Sequence, residues 1–171
     1  FNTIDSNGVA AGSTRIEAAL QGFGELVERD SVGLWWYNRV QRPGVVLESF
    51  GLPYLAELQA HYRHLNRDYW VLDITSDLGI PAFAAISRRT DREVEDIIYG
   101  FGANLDPKTA IMQAVTEMNQ CLPAVGSPNA DGSTHYMWPR SDAHEWWKNS
   151  TIANQPYLMP RTDIPARTLS D

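Results

Sequence analysis

Between Thr14 and Val40 the apolar positions Ile16, Ala19, Leu20, Phe23, Leu26 and Val27 recur at three- and four-residue intervals. That spacing predicts one long amphipathic helix with a buried face. Thr14 and Glu17 form a T-x-x-E capping box at its start, and Pro43-Gly44 is the expected stop. Beside the apolar face runs a polar stripe of Glu17, Gln21, Glu25 and Glu28, spanning roughly 80° of the helix circumference. Gly22 and Gly24 thin the surface between the stripes, each at about 1 kcal/mol in helix propensity. Such a stripe is either a solvated acidic face or a place where a hard cation meets oxygen ligands.

The pattern changes period further along. Phe1–Ile4 alternates like a short strand and runs into a loop of small residues, 5–12, whose N–H groups suit an anion as well as a plain connection. A second helix is predicted over Tyr54–Leu65, with Leu55, Leu58 and Tyr62 on one side. His61 and His64 share a face but lack further ligands, as surface histidines do. Two strands follow, 69–75 and 81–87, joined by a turn over Ser76–Ile80, and EVEDIIYG (93–100) reads as a third. Arg88-Arg89 are either solvated or free to reach a phosphate.

Asp106 as N-cap and Pro107 as first residue open another helix, Lys108 to about Leu122, with Ile111, Ala114, Val115 and Met118 inward. Gln113, Glu117 and Gln120 fall within roughly 60° of one another on it. Two helices thus each carry an oxygen-rich stripe beside an apolar one, and Mg²⁺ with polyphosphate takes ligands from more than one element. Beyond Pro123, residues 125–133 read as a loop, 142–148 as a short helix, and the proline-bearing end from Gln155 as an extended tail whose aromatic residues dock onto the core.

Composition narrows the classes. The 171 residues suffice for one domain with a core, and 43% hydrophobic with 20% charged residues is ordinary for a globular chain. A formal net charge of −7 argues against a general nucleic-acid binder. No apolar run has the length of a membrane span, and no signal-peptide pattern opens the chain. The single Cys121 excludes an internal disulfide and agrees with a cytoplasmic setting. No G-x-x-x-x-G-K-[ST] is present, so any nucleotide site is not an ordinary P-loop. The chain opens at Phe1 rather than Met and reads as a piece of a longer protein.

The run SNGVAAGSTRIEAALQGFGELVERDSVGLWWYNR resembles the signature of the YcaO family, in particular its azoline-forming cyclodehydratases, the heterocyclases of thiazole/oxazole-modified microcin biosynthesis. Gln113-x-x-x-Glu117-x-x-Gln120 resembles that family's second nucleotide-binding motif, and LDITSDLGIP and ANQPYLMP are similar to the cyclodehydratase branch. The resemblance implies an α+β fold, a mainly antiparallel sheet packed on two principal helices. It makes residues 1–171 a partial YcaO-like domain, with 1–123 as core and 124–171 as loop and tail. It implies an ATP- and Mg²⁺-dependent enzyme acting on Cys, Ser or Thr of a ribosomal precursor peptide. By position, Glu25, Glu28 and Glu117 would hold Mg²⁺, and Ser6, Glu17, Gln113 and Gln120 would contact the nucleotide. No residue is singled out as catalytic in the chemical step. A leader-peptide-binding partner and a homodimer are expected, and residues 1–171 alone are expected to be inactive. Thioamide or amidine formation, and an inert scaffold that keeps the fold, stay open as other readings.

Overall fold

The computed structural model describes residues 6–138 and 141–169; the strand expected over Phe1–Ile4 lies outside them. Three strands, β1 (Arg67–Asp73), β2 (Ala82–Arg89) and β3 (Ile98–Ala103), form an antiparallel sheet in sequence order. Alternate residues face opposite sides of a strand, and here each side has its own core. Tyr69, Val71, Phe83, Ala85 and Ile98 pack with Ile111, Ala114, Val115 and Met118 of α3 (Pro107–Cys121). Leu72, Ala84, Ile86, Phe101 and Ala103 pack with Val27 and Trp35 of α1 (Arg15–Asn38). The sheet therefore lies between the two principal helices, the α+β arrangement expected. Helix α2 (Pro53–His64) covers β1 with Leu55, Leu58 and Tyr62, and leaves His61 and His64 in solvent.

Several boundaries move. Helix α1 ends at Asn38, not at Pro43-Gly44, because Arg39 turns left-handed at φ 54° and its N–H closes on the Trp35 carbonyl. The third strand starts five residues later than EVEDIIYG suggests. Asp96 is the cause: it sits at φ 44° and is fully buried. Its carboxylate accepts from Thr134 Oγ1 (2.6 Å) and Tyr136 Oη (2.7 Å), and pairs with Arg89 at 3.4 Å. Its carbonyl accepts from the buried Arg67 guanidinium at 2.6 Å. Residues 90–96 are thus a loop wrapped round a buried ion cluster. The same cluster answers the question of Arg88 and Arg89: they pair with Glu95 (3.2 Å) and Asp91 (3.0 Å) rather than waiting for a phosphate. The turn between β1 and β2 is as expected, with Gly79 at φ 69° donating to Ser76.

The segment after residue 123 is extended in places, and its aromatic residues pack on the core. The loop at 125–133 leads into a small hairpin, β4 (Ser127–Pro128) with β5 (Thr134–His135), and α4 (Asp142–Asn149) follows. Trp147 of α4 joins the α3-side core, while Tyr157 and Leu158 join the α1-side core. The Trp70 indole donates to the Leu158 carbonyl at 2.8 Å, and Arg39 stacks over the Tyr157 ring at 4.7 Å. Pro43 and Val45 bridge in parallel to Arg161 and Arg167. Prolines cannot continue a helix, yet they leave carbonyls and apolar rings free for this edge packing.

A carboxylate cleft between two helices

The N-terminal half of α1 does not bury its apolar stripe. Ile16 is 75% exposed, Leu20 54%, Phe23 49% and Leu26 50%; of the stripe, Val27 is buried and Ala19 is exposed too. Instead Ile16, Leu20 and Phe23 line a cleft of about 440 Å³ together with Glu17, Gln21, Glu25 and Glu28. The far wall is Ile80 from the β1–β2 turn, Ala103–Leu105 at the end of β3, and Gln113 of α3. The two stripes read from the sequence are two walls of one site. Its volume and its mixed apolar and polar lining are those of a small-molecule pocket.

At the cleft mouth, Thr14 caps α1, its Oγ1 accepting from Glu17 N at 3.1 Å. The Glu17 carboxylate accepts from Ser13 N (2.8 Å) and the Ser13 hydroxyl. Those bonds hold its pKa below the usual carboxylate range, so it faces the cleft as an anion.

Deeper in, Glu25 has only Arg29, one turn on at 3.9 Å. Glu28 is pushed up to about 7, first by burial, then by the charge of Glu117; Arg29 opposes this and Glu25 adds to it. Glu117 reaches Glu28 from α3, with one oxygen fixed by the Phe101 N–H at 2.7 Å. Carboxylates crowded with so little positive charge between them repel one another. The sheet's other arginines give no relief, because Arg88 and Arg89 end β2 at the edge away from Ala82 and Ala103.

The structure thus brings together Glu17, Glu25, Glu28 and Gln113 along the cleft, with Glu117 beside Glu28. It leaves Ser6 and Gln120 exposed and outside the cleft wall. Ser6 is carried away by its own loop, which crosses α1 at Gly22: a Cβ there would meet the Gly8 carbonyl at 2.5 Å. Gly22 lies about 100° round the helix from Gln21, so the loop runs down a different side. Gln120 follows Glu117 along α3, away from Gln113 and the cleft. Sequence reasoning missed Ile80, Asn104 and Leu105. Their one signal is position, in loops at the same end of the sheet, where scaffolds place binding residues.

Comparison with known proteins gives the class. The model of the YcaO cyclodehydratase family, described as ATP- and Mg²⁺-binding, matches residues 1–171, and the chain belongs to that family. It superimposes on a heterocyclase solved in complex with substrate and cofactor at TM-score 0.88 and 52% identity, covering 97% of this chain and 21% of that one. It is also similar to the heterocyclase TruD, at TM-score 0.84 and 51% identity, covering 97% and 22%. Among curated sequences, an uncharacterized protein in the tfuA 3′ region of Rhizobium leguminosarum bv. trifolii is 33% identical over 141 residues, 75% of this chain and 33% of its own length. The chain therefore spans about a third of that relative and about a fifth of those heterocyclase chains.

The residues present suit the family's cation. Among the described residues, no group of three or more His, Cys, Asp or Glu side chains is placed to hold a metal ion. Mg²⁺ does not need one: it keeps waters and is held by one or two carboxylates plus substrate phosphates. Glu25, Glu28 and Glu117 are hard oxygen donors, and burial, then the charge of Glu117, raises the pKa of Glu28.

Proposed function

We propose that this chain carries the ATP–Mg²⁺ site of an azoline-forming peptide cyclodehydratase. The observation that carries the reading is a cleft of nucleotide size that gathers Glu17, Glu25 and Glu28 of α1 with Gln113 of α3, helices on opposite faces of the sheet, while Glu117 acts on Glu28 through its charge. Glu25, Glu28 and Glu117 hold the cation, which when bound supplies charge neutralisation for the ATP phosphates. Glu17 and Gln113 hydrogen-bond the nucleotide. Leu20, Phe23 and Leu105 offer its base an apolar wall. Ser6 and Gln120, like Glu117, lie outside the lining of the cleft.

In the reaction proposed, a Cys, Ser or Thr side chain of a precursor peptide adds to the carbon of the preceding amide. The amide oxygen takes the γ-phosphoryl group as ADP leaves. The addition closes the ring; loss of phosphate together with the amide N–H proton then forms the C=N bond of the azoline, so one water is removed per residue modified. Through the bound cation the carboxylates would orient the phosphates for in-line transfer.

The test is incubation of the full-length protein with ATP, Mg²⁺ and its precursor peptide, followed by mass spectrometry and phosphate assay. Loss of one water per modified residue with matching phosphate release supports the proposal. Exchange of oxygen for sulfur or nitrogen moves the protein to thioamide or amidine chemistry at the same ATP site. No mass change and no phosphate release leave an inert scaffold.

A further inference from the structure

Strand β3 carries Ile98, Gly100 and Gly102 on the face that meets α3, where a strand normally presents side chains. The helix lies directly on the strand's backbone. A Cβ on Gly100 would stand 2.1 Å from Met118 N and 2.4 Å from the Ala114 carbonyl. One on Gly102 would stand 2.3 Å from the Ala110 carbonyl and 2.6 Å from Ala114 N. These are backbone atoms, which cannot swing aside as a flexible side chain would. Glycine inside a strand marks this kind of close approach.

The approach has a consequence two residues away. β3 is the last strand of the three, so among the described residues its outer edge has no neighbouring strand in the sheet. Glu117 fills part of that edge by accepting from Phe101 N at 2.7 Å. Gly24 of α1 comes to the same edge from the other face of the sheet, where a Cβ would stand 3.5 Å from the Ala103 carbonyl. Glu28 lies one turn on from Gly24, within reach of the charge of Glu117. A full side chain between α3 and β3 would lift the helix by about the width of a methyl group, and a carboxylate placed 1 Å off loses its geometry.

We infer that Gly100 and Gly102 are positioning residues of the carboxylate site: they seat α3 on β3 so that Glu117 reaches the edge beside Glu28. The functional consequence rests on the proposed cation site; the seating of Glu117 does not.

The experiment uses the full-length protein and its Gly100→Ala, Gly102→Ala and Glu117→Asp variants. Glu117→Asp withdraws the carboxylate by one methylene without touching the helix–strand contact, so it probes the same reach if the glycine variants fold poorly. A control, Ile111→Val, loosens α3 elsewhere. Two quantities are measured: Mn²⁺ affinity by electron paramagnetic resonance in the presence of a non-hydrolysable ATP analogue, and amide hydrogen exchange at Phe101. The inference expects Mn²⁺ binding weakened on the order of tenfold, and Phe101 exchange accelerated relative to Ile98, in all three variants. The control should stay within about twofold on both. Unchanged Phe101 exchange in the glycine variants, unchanged Mn²⁺ affinity in Glu117→Asp, or an equal loss in the control overturns it. If the unaltered protein binds no Mn²⁺ with nucleotide, the proposed function falls, and the exchange data still decide the seating of Glu117.

Discussion

Glu117 accepts the backbone N–H of Phe101 at 2.7 Å, and the same carboxylate raises the pKa of Glu28 across the edge of the sheet. One side chain therefore both bonds the outer edge of β3 and acts by its charge on Glu28, which lines the cleft. Glu117→Gln separates the two jobs, since a Gln carbonyl can still accept from Phe101. The expected outcome is a protein with nearly unchanged Tm whose Glu28 titrates lower than before. Carboxylate titration by NMR checks it.

Metal-free protein should show a definite pH dependence from Glu28. Its folded value of about 7 stands above the ordinary glutamate value of 4.5, so between those limits the native state holds a proton that the unfolded chain has released. The stabilising contribution is complete below pH 4.5 and is lost as pH rises through 7. Glu28→Gln cannot ionise and escapes the loss. The variant should gain about 1–2 kcal/mol on wild type between pH 5 and pH 8, a figure reduced for solvent screening at this partly exposed group. Urea titrations at the two pH values measure it; parallel behaviour of the two proteins would refute the assignment of burial and repulsion to Glu28.

Glu17 is where cap and ligand roles compete. Its carboxylate accepts from Ser13, a bond that a Gln carbonyl can also take. Glu17→Gln should therefore leave Tm nearly unchanged. If Glu17 contacts the nucleotide, KM for ATP should rise on the order of tenfold, the worth of one charge-assisted hydrogen bond. Steady-state kinetics of the full-length protein decide the matter, and an unchanged KM returns Glu17 to capping alone.

The two helix stripes were legible because helical period survives whatever the rest of the chain does. Glu17, Glu25 and Glu28, like Gln113 and Glu117, fall on common faces by geometry alone. What covers a face is not a local property. Ile16, Leu20 and Phe23 have the spacing of a core stripe, and no pattern within α1 says that they line a cleft instead. The displaced third strand has a similar origin. EVEDIIYG alternates well enough, but buried Asp96 is held by Thr134 and Tyr136, about forty residues away, and non-local bonds are invisible to a window. GFGA was hard to read as a strand because its glycines answer to α3 rather than to strand propensity.

That buried cluster predicts a large effect far from the cleft. Asp96→Ala removes the buried one of Arg89's two carboxylate partners and two hydroxyl bonds, and opens the loop whose carbonyl holds the Arg67 guanidinium. The cost should be about 3–5 kcal/mol, typical of breaking a buried pair from one side. Urea unfolding measures it, and a loss below about 1 kcal/mol, the worth of an exposed pair, would mean that the cluster is not the anchor of residues 90–96.

The central claim is that Glu25, Glu28 and Glu117 hold Mg²⁺ on ATP, and the most direct measurement is Mg²⁺-dependent ADP formation by the full-length protein and its three single Glu→Gln variants. Gln keeps side-chain size and helix propensity while removing a hard ligand. The account predicts a loss on the order of 100-fold in each variant with the fold retained by circular dichroism. Full ATP turnover in any two of them would contradict it.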